Sequence, residues 1–115
     1  ISGGNHRTQV GGDHTTGDGN AFYTSPNTYA GTHDVDRGEC AALSPIYDVP
    51  IDSSVSIWYF HGQRDEGDDP TGDYFHLELS IDEGDTWTAM VSHGDSRVWA
   101  DWSEATASVP GGSTV

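Results

Sequence analysis

The clearest pattern in the chain is an alternation of apolar and polar residues between Tyr74 and Ile81. Because successive side chains of a strand point to opposite faces of a sheet, this alternation predicts a strand with one buried face. Trp87, Ala89 and Val91 continue the alternation after a short turn, which predicts an antiparallel return strand. The residues expected on the core face of the first strand are Phe75, Leu77, Leu79 and Ile81.

A second run, Val55–His61, places β-branched or aromatic residues on both of its faces. Such a run is typical of a central strand that is covered on both sides. Glycine, proline, asparagine, aspartate and serine interrupt the rest of the chain every few residues, and no segment has a helical period. Further short strands are predicted at 21–25, 40–43, 46–49, 98–102 and 107–109.

About seven or eight short strands joined by loops predict an all-β fold, an antiparallel β-sandwich of the immunoglobulin or jelly-roll kind. The 115 residues are enough for one such domain with a modest core. Residues 1–20 are rich in glycine, aspartate, asparagine and threonine. They are expected to be the loop-rich N-terminal part of a single domain that covers residues 1–115.

The charge balance is strongly acidic, because 4 arginines and no lysine stand against 19 aspartates and glutamates, for a net charge of −15. Repulsion from phosphate groups excludes nucleic acids as partners and disfavours anionic membranes. No apolar run approaches the roughly 20 residues that span a bilayer. Three explanations of the acidity stay open here: a surface adapted to high salt, as in a marine or halophilic microbe, bound divalent cations, or a cationic partner.

Closely spaced aspartates with glycine between or beside them occur in three predicted loops and point to calcium. Calcium takes about six to eight oxygen ligands from carboxylates, amides and backbone carbonyls on a turning chain. We therefore predict at least one structural Ca²⁺ ion, with ordinary solvated acidic loops as the alternative, since 19 acidic residues cluster partly by chance. The candidate ligands are Asp13, Asp18, Asp34, Asp36, Asp69 and Asp73.

The segment Ser80–Trp87 fits the pattern S-x-D-x-G-x-T-W. The pattern resembles the Asp-box of sialidases and other secreted β proteins, where the box is a structural hairpin. Asp82 can accept backbone N–H bonds across the turn, and Gly84 can supply a positive φ. We expect Trp87 to begin the return strand with its ring in the core. The predicted hairpin residues are Ser80, Asp82, Gly84, Thr86 and Trp87.

Signals of catalysis are weak. The chain has neither a G-x-S-x-G nor an H-E-x-x-H motif, and pairs of carboxylates carry little information in so acidic a sequence. We expect that the protein is not an enzyme. The weaker alternative is a small hydrolase, for which Glu78 is the candidate, because it is the only acid inside a strong strand pattern.

Other single residues suggest further roles. Trp58, Tyr74 and Trp99 are candidates for stacking against sugars, with packing in the core as the alternative. His61 and His76 lie on two strongly predicted strands and could meet across them. Cys40, the only cysteine, cannot form an internal disulfide and is expected to be a small buried side chain.

Four segments occur in an order that resembles MAM domains and their bacterial relatives in secreted peptidases and surface proteins. They are G-D-H-T-T-G-D-G at 12–19, A-L-S-P-I-Y-D-V at 42–49, V-S-I-W-Y-F-H-G at 55–62 and D-Y-F-H-L-E-L-S at 73–80. The resemblance implies a concanavalin-like jelly roll that is extracellular and non-catalytic. It also implies a calcium ion near Asp13 or near Asp34 and Asp36.

The chain departs from the family in two respects. It has only Cys40 where MAM domains usually have paired cysteines, and it ends at Val115 without the family's last pair of strands. The second departure predicts a domain that either lacks its terminal strands or is completed by a strand from another chain.

The function expected from the sequence is that of a non-catalytic module of a secreted or cell-surface protein, serving adhesion, assembly or ligand binding. The alternative is a carbohydrate-binding module of a polysaccharide-degrading enzyme. The expected partners are accordingly other protein chains or extracellular glycans, and insertion into a membrane is not expected.

Overall fold

The computed structural model describes residues 7, 9–24, 38–63 and 72–115. Within these residues the chain is all β, and its strands form three antiparallel ribbons of two strands each, β1–β6, β2–β5 and β3–β4. The strands are β1 (Asp48–Val49), β2 (Ser53–Phe60), β3 (Phe75–Leu79), β4 (Thr88–His93), β5 (Trp102–Val109) and β6 (Ser113–Thr114). The predicted all-β, antiparallel class is therefore confirmed. Nothing in the described part of the chain forms a helix that could cross a membrane.

The longest ribbon pairs β2 with β5, in a register that runs from Ser53↔Val109 to Phe60↔Trp102. One face of the ribbon is mainly apolar and carries, among others, Val55 and Ile57. The prediction that β2 is a central strand covered on both sides is wrong: β5 is its only ladder partner among the described residues, and Ile57 is exposed. The composition of a strand shows that its side chains suit a pleated surface, and it does not show that a second sheet covers them.

The β3–β4 hairpin follows the predicted alternation. Phe75, Leu77 and Leu79 are half-buried, while the side chains between them are exposed. The register shifts between Leu77 and Glu78, so the strands are paired with an irregularity in the middle of the ladder. Ile81 was expected on the core face but is exposed, because it lies beyond the end of β3 in the turn.

The last residues of the chain form β6, which lies between β1 and the turn after β3. Tyr47 and Val115 exchange backbone hydrogen bonds of 2.7 and 2.9 Å. On the opposite side, the Thr114 N–H donates to the Ile81 carbonyl at 3.3 Å, and the Glu83 N–H donates to the Thr114 carbonyl at 3.0 Å. The C-terminal segment therefore contributes a paired strand that the sequence analysis did not predict.

Several predicted strands are absent from the described residues. Residues 21–24 and 40–43 form no strand. Val98 makes a single bridge to Gln63, and β5 begins only at Trp102. The predicted strand at 107–109 is the end of β5 rather than a separate element.

The buried core is small. Among the described residues, the buried apolar side chains are Ala100, Ala105 and Val109, and none of the large apolar side chains is fully buried. Three ribbons with so little buried between them do not establish the two packed sheets of a jelly roll, and the sandwich remains a prediction.

Candidate functional site

The turn between β3 and β4 is held by a compact set of hydrogen bonds centred on Ser80 and Asp82. The Ser80 hydroxyl donates to Asp82 Oδ1 at 2.8 Å and accepts the Gly84 N–H at 2.8 Å. Asp82 also accepts the Thr86 backbone N–H at 2.8 Å and the Thr86 hydroxyl. The Thr86 hydroxyl is the main cause that lowers the pKa of Asp82 below its ordinary value. These contacts are internal to the turn, so they explain its shape and leave Asp82 engaged.

Trp87 closes the same turn from outside the core. Its indole N–H donates to the Gly84 carbonyl at 3.1 Å, and the side chain is 49% exposed. The expectation that this ring enters the core is wrong. Two successive left-handed residues, Glu83 at φ 60° and Gly84 at φ 90°, turn the chain so that the ring folds back over the turn instead.

Asp13 organises the N-terminal loop. Its Oδ2 atom accepts the Thr16 N–H at 2.9 Å and the Thr16 hydroxyl at 3.0 Å, and its Oδ1 atom accepts the Gly19 N–H at 2.9 Å. The backbone N–H groups of Thr16 and Gly19 are the main causes that lower the pKa of Asp13 to about 2. Both carboxylate oxygens therefore serve the loop itself.

The described candidates do not by themselves make a calcium site. In the described ranges, no three histidine, cysteine, aspartate or glutamate side chains are grouped so that they could hold a metal ion. Asp18 is exposed in the Asp13 loop, and Asp73 lies just before β3. The remaining candidates, Asp34, Asp36 and Asp69, lie outside the described residues. Calcium binding thus stays a prediction from the sequence.

The Asp13 contacts predict a specific sensitivity to acid. Because folding lowers the pKa of Asp13 from 3.8 to about 2, its contribution to stability is present above pH 3.8 and is lost as the pH falls through 2. We expect Asp13→Asn to remove this part of the acid denaturation curve. Asp18→Asn removes the same charge from the same loop, and we expect its acid denaturation curve to keep this part. Circular dichroism between pH 5 and about 1.5 measures both variants, and identical curves would contradict the assignment.

The aromatic candidates have different surroundings. Trp58, on β2, is 41% exposed, but the His14 ring stacks on it with centroids 3.6 Å apart and planes inclined by 10°. His14 also makes an edge contact with Trp102 at 5.6 Å. The N-terminal loop therefore covers one face of the Trp58 indole, the kind of surface on which a sugar would stack.

Tyr74 and Trp99 are more open than Trp58. The Tyr74 hydroxyl donates to Glu39, a hydrogen bond that is the main cause raising the pKa of the phenol. Trp99 lies in the segment before β5 and is exposed. The three aromatic candidates thus lie on three separate parts of the chain rather than on one strand face.

The sequence analysis missed a cluster of four rings between β2 and the β3–β4 hairpin. It comprises Tyr59, His61, Phe75 and His93. His61 meets His93 and not the expected His76, because His76 alternates to the exposed face of β3 and contacts Tyr74. Pairing of Phe75 with His93 across the hairpin brings His93 into the cluster. The sequence signal that could have predicted this cluster is the presence of ring side chains near the ends of β2, β3 and β4.

Two further predictions concern Cys40 and Glu78. Cys40 was expected to be buried, but its thiol is exposed, because residues 40–43 are not part of a strand and lie at the surface. Glu78 is exposed on the outer face of β3.

Comparisons with protein-family models, with curated proteins and with solved structures find no significant match for this chain.

Proposed function

We propose that this chain is a non-catalytic module of a secreted or cell-surface protein that serves assembly or adhesion by binding a strand of another protein chain. In this proposal the three ribbons belong to a jelly-roll sandwich that the partner strand completes. The order of motifs that resembles MAM domains supports the extracellular setting and the sandwich. An exposed apolar segment at an open sheet edge supports the mode of binding.

The observation that carries the proposal is an exposed apolar segment at residues 43–51. Leu43 is 78% exposed and Ile51 is 72% exposed, and Ile46 and Tyr47 between them are also exposed. Covering large apolar side chains is the main favourable contribution to folding and association, at about 25 cal/mol for each Å² removed from water. A contiguous group of them at the surface is typical of a site where another protein binds.

The same segment lies at the edge of a small sheet. β1 pairs with β6 on one side, and on the other side it has no ladder partner among the described residues. An open edge presents unpaired N–H and carbonyl groups, which a further strand can satisfy. The open backbone edge at Asp48–Val49 therefore lies within the exposed apolar segment.

Charge determines which strand fits. The chain carries a net charge of −15, so a second copy would bring two strongly acidic molecules together. Repulsion of that kind disfavours association of two copies at low ionic strength. The partner that fits is a different chain whose strand combines an apolar face with neutral or basic residues.

A labelled thiol can test this binding mode. Cys40 is exposed, is the only cysteine and lies shortly before the segment, so an environment-sensitive dye attached to it reports whether the segment becomes covered. We expect a synthetic peptide of alternating valine and lysine to shift the dye emission to the blue. A peptide of alternating valine and glutamate is expected to produce no shift, because the acidic chain repels it.

The matched variant replaces Leu43, Ile46 and Ile51 by serine, which leaves the charge unchanged. We expect it to lose the shift, while Phe22→Ser, an exposed substitution outside the segment, retains it. An equal shift in the triple variant would mean charge attraction alone and would contradict the proposal. Retention of the chain on a polysaccharide gel, abolished by Trp99→Ala, would instead support the carbohydrate-binding alternative.

A further inference from the structure

The four-ring cluster is the main aromatic contact between the β2 strand and the β3–β4 hairpin in the described structure. Phe75 stacks with Tyr59 at 5.5 Å and with His61 at 5.6 Å between ring centroids. His61 and His93 stack at 5.0 Å, with planes inclined by only 12°. Two imidazoles thus lie face to face at a junction between parts of the chain that belong to different ribbons.

His61 is poorly placed to take up a proton. Its Nδ1 atom is buried and has no hydrogen-bond partner among the described residues. A neutral imidazole can leave this nitrogen as an unprotonated acceptor, whereas an imidazolium carries an N–H on both nitrogens. Protonation would therefore create a buried N–H donor that has no acceptor among the described residues, and its positive charge would lie against the His93 ring.

The described rings that contact His61 carry no negative charge that would compensate its protonation. β3 contributes the uncharged Phe75 to the contact, β4 contributes His93, and β2 contributes the neutral Tyr59 phenol. Two described carboxylates lie two residues from members of the cluster in sequence, Asp73 before Phe75 and Asp95 after His93, and Asp95 accepts a hydrogen bond from the Gln63 side-chain amide. Burial first, and the neighbouring His93 second, lower the pKa of His61 below 6.5.

We propose that the His61–His93 stack is an acid-sensitive latch, and that protonation of the pair releases the β3–β4 hairpin from the β2–β5 ribbon. The inference is independent of the partner strand proposed above, because the latch lies within the chain.

The latch makes a signed prediction about pH. Because folding lowers the pKa of His61, its contribution is complete above pH 6.5 and is lost as the pH falls below that value. Carboxylates stay mostly ionised above pH 5, so the window from about 7.5 to 5.5 isolates the histidines. Protonation of all six histidines would also reduce the net charge from −15 to −9. This change affects the stability of the whole chain, so a control variant must distinguish it from the effect of His61.

Hydrogen exchange at fixed ionic strength tests the latch. We expect acidification to accelerate exchange of the β3 and β4 amides severalfold, after correction for intrinsic rates, relative to the β2 and β5 amides. His61→Phe keeps a stacking ring but cannot titrate, and it is expected to abolish the difference. His76→Phe, on the exposed face of β3, is expected to retain it.

Two results would overturn the proposal: equal acceleration in both ribbons, or an unchanged difference in His61→Phe. If that variant does not fold, NMR titration of the wild-type imidazoles decides the matter. A His61 midpoint below 6.5 supports the latch, and a midpoint at or above 6.5 refutes it.

Discussion

Replacing Gly111 by alanine is expected to lower the stability of the protein by about 2–3 kcal/mol, through overpacking against a rigid neighbour. A Cβ atom at this position would lie 2.9 Å from the Cα and carbonyl carbon of Ile51. Both are backbone atoms and cannot move aside as a side chain could. Gly111 also donates its N–H to Asp52 Oδ1 at 2.8 Å, so a shift of the turn would break that bond as well.

Thermal denaturation measures this effect, with an expected fall in Tm on the order of 10 °C or more. Gly94→Ala is the matched control, because a Cβ there would meet no atom within 4 Å and the residue does not have a positive φ. A loss of stability could come from a steric clash of the new Cβ atom or from strain of the backbone. Gly112→Ala tests the second cause alone, since Gly112 has φ 88° but open space around it. A loss in Gly111→Ala no larger than in Gly94→Ala would contradict close packing of the β5–β6 turn on Ile51.

Replacing Ser80 by alanine is expected to cost about 1–3 kcal/mol, because it removes a buried hydroxyl and leaves the Gly84 N–H without its acceptor in the turn. Ser80 is only 5% exposed, and its hydroxyl oxygen accepts the Gly84 N–H at 2.8 Å. The same hydroxyl donates to Asp82 Oδ1, so the variant also loses one of the bonds that orient this carboxylate.

Ser92→Ala is the control for this substitution, since Ser92 is an exposed residue of β4 in the same hairpin. Equilibrium unfolding in urea measures both variants, and we expect Ser92→Ala to change the free energy of unfolding by less than about 0.5 kcal/mol. Equal losses in the two variants would show that Ser80 contributes only as a strand residue and not through the turn.

Local structure was largely predictable because its causes lie close together in the sequence. The alternation from Phe75 to Leu79 determines which side chains share a face of β3, since the period of a strand is a property of the backbone. The hydrogen bonds of Ser80 and Asp82 join residues at most four positions apart. The sequence motif of the turn therefore contains both the donor and the acceptor of each bond. The predicted calcium site, by contrast, would require contacts between separate loops that no spacing in the sequence specifies.

The ring contacts show why other parts of the site could not be predicted. His93 reaches His61 only because the hairpin pairs it with Phe75 and then packs Phe75 against Tyr59. His14 covers Trp58 from a loop far away in the sequence. Neither contact leaves a pattern in the chain, because each depends on how distant elements are brought together.

The amino-acid sequence by itself determined the all-β class, the β3–β4 hairpin and the strongly acidic surface, since strand alternation, turn chemistry and charge are local or additive properties. The tertiary structure alone decided that β2 is left partly uncovered, that residues 43–51 expose their apolar side chains and that His61 meets His93. Burial and side-chain contact depend on which distant segments pair, and residue composition does not encode that choice in any one segment.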